Sequence, residues 1–322
     1  VGDVSDAGPT FPEPVRLTRD EVEAASIVVR RHVPVTPAHR WPLLDEAAGT
    51  MVTVKHENHT PVGAFKVRGG LVHLGRIARE HPDVTGVVSA TRGNHGQSLA
   101  FAGREHGLAV TIFVPHGNSV EKNDAMRALG AEVVEVGRDF QEAREAAGRH
   151  AEEHGLLLVP PFHRDLVVGV ATYALELFEQ VAAGGAPLDV VYVPVGMGSG
   201  INALIAVRDL LGLDTEIVGV VAEGADATLR SFAAGRVVET ASAATFVDGV
   251  ATRSPDPTAI AGILAGAARI IAVPDDAVAD AMRLIFRATH NVAESAGAIA
   301  LAGLLSEVAD RRPGHAGFVL CG

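Results

Sequence analysis

Short runs of Val, Ile and Leu alternate along the chain with longer stretches in which apolar residues recur every three or four positions. Short runs of this kind are typical of strands buried on both faces, and the longer stretches are typical of amphipathic helices. The pattern predicts strands over 51–55, 84–90, 110–115, 132–136, 156–159, 190–195, 217–222, 269–273 and 318–321. It predicts helices from 66 onward and over 19–33, 94–106, 119–129, 140–154, 166–183, 201–211, 277–289 and 294–308. This alternation predicts an α/β fold with open, twisted, parallel-rich sheets flanked by helices.

The predicted strands are too many for one small sheet, so we expect two sheets in two domains. Pro160 and Pro161 interrupt the pattern. We therefore expect residues 88–164 to form a small domain, and residues 1–87 and 165–322 to form a large one. Ligands of open α/β sheets bind beyond the carboxyl ends of the strands, which predicts an active site between the domains. Residues 1–16 show neither periodicity and are predicted to be irregular.

Composition and charge argue against several classes of partner and location. The formal net charge of -12 argues against a nucleic-acid partner or an anionic membrane surface, because the chain would be repelled by phosphates. No uninterrupted apolar run reaches the roughly 18 residues of a membrane span, and the first residues are polar and acidic, unlike a signal peptide. The single cysteine, Cys321, fits a reducing compartment. We expect a cytoplasmic protein.

One lysine stands out by its position. Thr60 and Pro61 end an extended segment, and Lys66 then opens the helical pattern beside Phe65. Apolar surroundings and the positive end of a helix dipole disfavour a charged amine. Lys66 is therefore a candidate for attack on a carbonyl and for holding an imine. The alternative for this residue taken alone is a solvent-exposed lysine of a first helical turn.

Two glycine-containing turns follow predicted strands. The first, 90–97, reads ATRGNHGQ, and the helix after it offers free N–H groups to an anion. The second runs over Gly196, Met197, Gly198, Ser199 and Gly200 and opens another helix, an arrangement that holds phosphate through backbone N–H groups.

A dinucleotide site is the rival interpretation of the second turn, because Glu223 lies about 20 residues further on, at the end of the next strand. The spacing argues against it. The dinucleotide fingerprint needs glycine where this chain has Ile201. A lysine able to form an imine, a phosphate loop and the Asn94 amide together fit pyridoxal 5'-phosphate.

The segment 63–69, GAFKVRG, resembles the G-S-F-K-x-R-G motif of the serine/threonine dehydratase group. That group includes serine racemase and belongs to the tryptophan synthase β-like (fold type II) pyridoxal-phosphate enzymes. The stretches 90–97, 196–200 and 320–322 resemble its S-x-G-N-H-x-Q, tetraglycine and C-terminal motifs, and 248–251 and 294–298 also match. The resemblance covers nearly the whole chain.

The resemblance implies a role for each matched residue. Lys66 would form the imine with the cofactor and move the Cα proton, Phe65 would lie beside the ring, and Asn94 would bind the ring hydroxyl. The glycine turn 196–200 would hold the phosphate, and Cys321 would face the pyridine nitrogen as a neutral thiol. The substrate carboxylate would lie among these residues: Thr91, Arg92, Gly93, Asn94 and His95.

Three departures from the family pattern matter. Ala64 replaces the usual serine two residues before the lysine. Arg92 replaces the serine that acts as the opposite-face acid/base in serine racemase, and a guanidinium does not deprotonate, so elimination is favoured over racemisation. Leu229 replaces the second acid of the racemases' divalent-cation site, so we expect no metal.

These features predict an ammonia-lyase that converts an L-β-hydroxy amino acid, L-threonine or L-serine, to a 2-oxo acid and ammonia. A bulkier or acidic substrate, such as 3-hydroxyaspartate or phenylserine, is the first alternative, and a protein that binds the cofactor without turnover is the second. Relatives of this kind are often oligomers, so we expect a homo-oligomer, a dimer, with a small amino acid as its ligand.

Overall fold

The computed structural model describes residues 11–311 and 313–322, and its strands form two separate sheets. The six-stranded sheet has the order β1-β2-β10-β7-β8-β9, and the four-stranded sheet has the order β5-β4-β3-β6. The strands are β1 (Ala38–Arg40), β2 (Met51–His56), β3 (Gly86–Ala90), β4 (Ala109–Val114), β5 (Glu132–Glu135), β6 (Leu157–Leu158), β7 (Val190–Pro194), β8 (Glu216–Ala222), β9 (Arg269–Val273) and β10 (His315–Leu320). Every pairing is parallel except that of β1 with β2. The predicted fold class is confirmed.

Helices connect the strands and cover the sheets. They are α1 (Arg19–Val29), α2 (Pro42–Ala48), α3 (Lys66–Glu80), α4 (Asn94–His106), α5 (Val120–Ala128), α6 (Phe140–His154), α7 (Arg164–Ala183), α8 (Ser199–Leu210), α9 (Ala227–Ala234), α10 (Pro257–Gly266), α11 (Asp275–Thr289) and α12 (Ser295–Arg311).

The predicted elements agree with the observed ones to within a few residues, and three have the predicted bounds: α4, α6 and β9. The predicted helix over 19–33 is too long, since α1 ends at Val29. The pattern missed β1, α2, α9 and α10, because the first three are too short to show a period and α10 lacks a polar face. Of the stretch predicted to be irregular, residues 11–16 are neither helix nor strand, and residues 1–10 lie outside the described part of the chain.

The hydrophobic core divides between the sheets. One large cluster surrounds the six-stranded sheet, and two smaller clusters lie on the four-stranded one. The apolar residues of α3, which include Leu71 and Leu74, belong to a smaller cluster, although the sequence predicts residues 1–87 in the large domain. The division into 1–87 with 165–322 and 88–164 stays a prediction. Helix α3 packs against elements of both groups.

Helix α7 is the central helix of the large core. It is the one helix of the described residues that is long and apolar enough to cross a membrane, but 72% of its most apolar stretch is buried inside the protein. It crosses α3 at two glycines. A Cβ at Gly169 of α7 would lie 2.3 Å from the Arg68 carbonyl oxygen and 2.7 Å from Gly69 Cα, both backbone atoms. The two backbones can approach this closely only without a side chain at Gly169.

Charged side chains are buried beneath the start of α3. Arg68 Nε and Nη2 donate to Glu57 at 2.7 and 3.0 Å, and its Nη1 and Nη2 donate to Glu176 at 3.0 and 2.9 Å. Lys55 donates to Glu176 at 2.9 Å. All four residues, here named the Arg68 cluster, are buried. Burial by itself would raise the pKa of Glu176, but hydrogen bonds from Arg68 hold that pKa below its ordinary value. The cluster joins β2, α3 and α7.

We predict that Gly169→Ala lowers the free energy of unfolding by about 1–3 kcal/mol, because α3 and α7 must move apart. Gly148→Ala is the matched control, since a Cβ there meets nothing within 4 Å in the helix α6. The control gains about 0.5–1 kcal/mol from helix propensity. Urea unfolding followed by circular dichroism measures both, and equal effects of the two substitutions would contradict the close approach.

Candidate active site

Lys66 is the first residue of α3, as predicted. The turn before it is held by Thr60, whose hydroxyl accepts from the Ala64 N–H and donates to the Ala64 carbonyl, both at 2.9 Å. Phe65 is the N-cap, and its ring meets Tyr173 edge to face with centroids 5.9 Å apart. The turn, the aromatic contact and the Arg68 cluster fix the position of Lys66 before any ligand binds.

The chain contains three lysines, Lys55, Lys66 and Lys122. Lys55 is paired with Glu176, and Lys122 lies 3.8 Å from Asp248 and 3.4 Å from Glu294. Within the described residues, no carboxylate forms an ion pair with the Lys66 amine. Burial lowers the pKa of Lys66, while the nearby Glu294 partly opposes that effect. Lys66 is therefore the lysine whose neutral, nucleophilic form costs least.

The glycine turn faces the same cavity as Lys66. Gly196, Met197, Gly198, Ser199 and Gly200 all line it, and Gly198, with φ 96°, is the N-cap of α8. A Cβ at Gly196 would lie 2.3 Å from the Gly249 carbonyl oxygen. Backbone N–H groups at the start of α8 are thus available to an anion.

Three of the helices that begin at this cavity are α3, α4 and α8. None has a side-chain cap or an acidic residue in its first turn. Uncapped helix N-termini carry partial positive charge and unsatisfied N–H donors. Their convergence can hold more than one anionic group.

Asn94 and His95, at the start of α4, also line the cavity. The Asn94 Nδ2 donates to Glu294 at 2.5 Å. Burial lowers the pKa of His95 to about 3, with Lys66 and His73 adding to the effect. The buried His95 Nε2 has no hydrogen-bond partner in the described structure. A neutral imidazole here can serve a ligand group.

Cys321 follows β10 and completes the cavity wall. Its carbonyl accepts from the Phe65 N–H at 3.1 Å, which ties the end of the chain to the Lys66 turn. Burial raises the pKa of the Cys321 thiol above its ordinary value, so the thiol stays neutral.

The other residues predicted to bind the substrate lie outside the cavity lining. Thr91, Arg92 and Gly93 do not line the cavity. Thr91 is buried and its hydroxyl accepts from the Gly93 N–H at 3.2 Å. Arg92 is exposed, with its Nη1 3.9 Å from Asp248. The structure brings together ten of the predicted residues: Phe65, Lys66, Asn94, His95, Gly196, Met197, Gly198, Ser199, Gly200 and Cys321.

Sequence reasoning missed other residues of the wall, among them Leu166 and Val170 of α7 and Glu294 before α12. Glu294 opens one of the stretches that match the family, yet nothing local assigns it a role, because its partner Asn94 is 200 residues away. The α7 residues carry no polar signal at all.

The residues that could ligate a cation lie outside the cavity lining. Asp226, in the stretch that resembles the racemases' cation site, pairs with Arg230 at 2.8 Å. In the described part of the chain His73, His163 and Asp165 lie close enough to share an ion. Hydrogen bonds occupy the atoms that face each other. Asp165 Oδ2 lies 3.2 Å from His73 Nδ1, and His163 Nδ1 accepts from the Asp165 N–H at 3.1 Å.

The cavity fits pyridoxal phosphate. It offers an unpaired amine for an imine, uncapped N–H groups for the phosphate, an amide for the ring hydroxyl and a neutral thiol for the ring nitrogen. The turn can adopt this path only with glycine, because side chains at Gly196 or Gly198 would meet protein atoms within 3 Å.

Comparison with known proteins points the same way. L-threonine ammonia-lyase of Thermotoga maritima is 30% identical over 293 residues, covering 91% of this chain and 72% of that protein. A biosynthetic L-threonine dehydratase of Escherichia coli is 34% identical over 278 residues, covering 85% of this chain and 53% of that protein. The chain thus spans about half the length of such biosynthetic relatives.

Solved structures agree. A threonine deaminase from T.th. superposes with a TM-score of 0.89 at 30% identity, covering 95% of this chain and 98% of that one. Serine racemase of Dictyostelium discoideum superposes with a TM-score of 0.85 at 26% identity, with coverage of 95% and 98%. The profile of the family described as "pyridoxal-phosphate dependent enzyme" matches residues 29–322. The chain belongs to the family of pyridoxal-phosphate-dependent enzymes.

Proposed function

We propose that this protein is an ammonia-lyase that converts an L-β-hydroxy amino acid, L-threonine or L-serine, to a 2-oxo acid and ammonia. The observation that carries the proposal is the unpaired Lys66 amine, which shares one cavity with the uncapped start of α8. Relatives named threonine ammonia-lyase and threonine dehydratase support the substrate class.

Each wall residue has a task in this reaction. The N–H groups of Gly198, Ser199 and Gly200 would bind the cofactor phosphate, and the Asn94 amide would donate to the ring hydroxyl. Bound pyridoxal phosphate supplies an electron sink for the bond at Cα of the amino acid. Lys66, whose neutral form is favoured by burial, accepts the Cα proton.

The remaining residues set the environment. The neutral Cys321 thiol would place no negative charge beside the ring nitrogen of a bound cofactor, so that nitrogen would stay unprotonated. The neutral His95 imidazole and the start of α4 would hold the substrate carboxylate. Phe65 and the α7 residues Leu166 and Val170 form the apolar part of the wall that excludes water.

Racemisation needs a second acid/base on the opposite face. The family resemblance assigns Arg92 to that position, and a guanidinium is not a base. The Arg92 Nη1 lies 3.9 Å from Asp248, and neither residue lines the cavity. The racemases among the structural neighbours share the fold, so the fold does not separate the two activities. The residue at position 92 does, and it favours elimination.

A second substrate class is motivated by two cations near the cavity mouth, Arg92 and Lys122, which could receive the second carboxylate of 3-hydroxyaspartate. Both already face carboxylates, Asp248 and Glu294, so the local charge is balanced. This balance favours a neutral side chain such as that of threonine or serine.

We propose a cytoplasmic homodimer. The lone buried cysteine suits a reducing compartment. Leu43 of α2 and Phe286 of α11 are 47% and 56% exposed, and these helices pack against each other, which gives an apolar surface for a second copy. A monomeric mass in solution by light scattering would contradict the dimer.

We predict that Lys66→Ala lowers keto-acid formation from L-threonine by at least about 10²–10⁴-fold, because the proton acceptor is lost. It also abolishes the imine absorbance of the cofactor-loaded protein. Lys66→Arg is the matched control, since it keeps a cation but has no nucleophilic amine, and it should behave like Lys66→Ala. Turnover retained in either variant would remove the mechanism.

We predict that keto-acid release from L-threonine or L-serine exceeds that from 3-hydroxyaspartate by more than about tenfold in kcat/KM, a difference equal to about 1.4 kcal/mol. D-serine should neither react nor form from L-serine. A spectrum that shifts with amino acids but gives no product would support a binding protein instead. A preference for 3-hydroxyaspartate that Arg92→Ala abolishes would establish the acidic substrate.

A further inference from the structure

Among the described residues, Glu294 is the one side-chain carboxylate in the wall of the cavity. It lies at the start of α12, on the six-stranded side of the site, and it faces two groups from the other side. Its Oε1 accepts from the Asn94 Nδ2 at 2.5 Å, and its Oε2 lies 3.4 Å from the Lys122 amine.

The hydrogen bond to Asn94 selects the orientation of an amide. An amide side chain can present either its oxygen or its nitrogen, and each orientation has similar energy unless a neighbour discriminates. An ionised carboxylate only accepts, so it requires Nδ2, and not Oδ1, of Asn94 to face it. The amide nitrogen carries two hydrogens. With one directed to Glu294, the other is directed away from it and remains for a ligand.

Both carboxylate oxygens of Glu294 face nitrogen donors. Its Oε1 accepts from the Asn94 amide, and its Oε2 lies near the Lys122 amine. The same Lys122 amine lies within 4 Å of Asp248. The geometry around Glu294 is therefore that of a hydrogen-bond acceptor.

The side chain and the backbone of Glu294 have separate partners. Its N–H donates to the Gly322 carbonyl at 3.2 Å, and its carbonyl accepts from the N–H groups of Gly297 and Ala298. Replacing the side chain leaves these backbone contacts in place. If replacing the carboxylate weakens cofactor binding, the cause is therefore not a lost contact between the Glu294 backbone and Gly322.

We propose that Glu294 is a positioning residue for the cofactor: it holds the Asn94 amide with its nitrogen toward the ring hydroxyl, and Lys122 supplies its counter-charge. The inference rests on the proposed site, in which Asn94 binds the cofactor ring. It is independent of which amino acid is the substrate.

The test is a double-mutant cycle on cofactor binding, with Asn94→Ala, Glu294→Ala and the double variant. The dissociation constant of pyridoxal phosphate is measured by titrating the cofactor-free protein without any amino acid. We expect each single substitution to raise this constant about tenfold, and the double variant to lie within about twofold of Asn94→Ala, because Glu294 acts through Asn94. An effect that multiplies in the double variant, or no effect of Glu294→Ala, overturns the proposal.

Two further variants sharpen the result. Glu294→Gln keeps an acceptor oxygen, so it should stay within about threefold of the wild type, whereas Glu294→Met keeps the volume without an acceptor and should match Glu294→Ala. Glu294→Met also serves if Glu294→Ala does not fold. If Glu294→Gln binds the cofactor as weakly as Glu294→Met, hydrogen-bond acceptance is not the role and the proposal is wrong.

A spectroscopic measurement separates positioning from general stability. The balance between the near-ultraviolet and the visible band of the bound cofactor reports the ionisation of the ring hydroxyl, and Asn94→Ala and Glu294→Met should change it in the same direction. Opposite changes would overturn the proposal. Turnover of the wild type is measured separately, so a protein that shows this cycle but converts no hydroxy amino acid contradicts the proposed function alone.

Discussion

The position of Lys66 depends on the buried Arg68 cluster. Two cations, Lys55 and Arg68, face two carboxylates, Glu57 and Glu176, with no exposed member. Removing one member of such a cluster leaves an uncompensated buried charge, at a cost of about 3–5 kcal/mol. The Arg68 guanidinium therefore has one low-energy position, and it fixes the position of the first turn of α3. Because Lys66 lies in the same turn, two residues before Arg68, its position is fixed as well.

The site itself follows from where chain segments end. Strands β2, β10 and β7 are parallel neighbours, so the segments after them meet at one edge of the sheet. These segments carry Lys66, Cys321 and the glycine turn. The start of α4, after β3 of the other sheet, supplies Asn94 and His95. Three uncapped helix starts in one cavity leave N–H donors that the protein does not satisfy, which is the condition for binding a doubly anionic ligand.

The sequence pattern predicted those features of the fold that depend on neighbouring residues along the chain. The periodicity predicted α4 and α6 with their observed bounds, and the glycines at 196, 198 and 200 predicted the turn that opens α8. The pattern could not predict contacts between residues that are far apart in the sequence. The contact of Asn94 with Glu294, the convergence of Glu57 and Glu176 on Arg68, and the wall formed by α7 all join residues that no period relates. Short elements such as β1 and α2 failed for a different reason, since a few residues show no period.

The central claim is that the Lys66 amine carries the cofactor. The chain offers a direct measurement, because it has only three lysines. The cofactor-loaded protein is treated with borohydride, which fixes an imine as a stable amine, and the modified peptide is identified by mass spectrometry. The account predicts modification at Lys66, with the ion-paired Lys55 and Lys122 unmodified. Modification at Lys122 or Lys55, or a protein that carries the cofactor without any reducible bond to lysine, would contradict it.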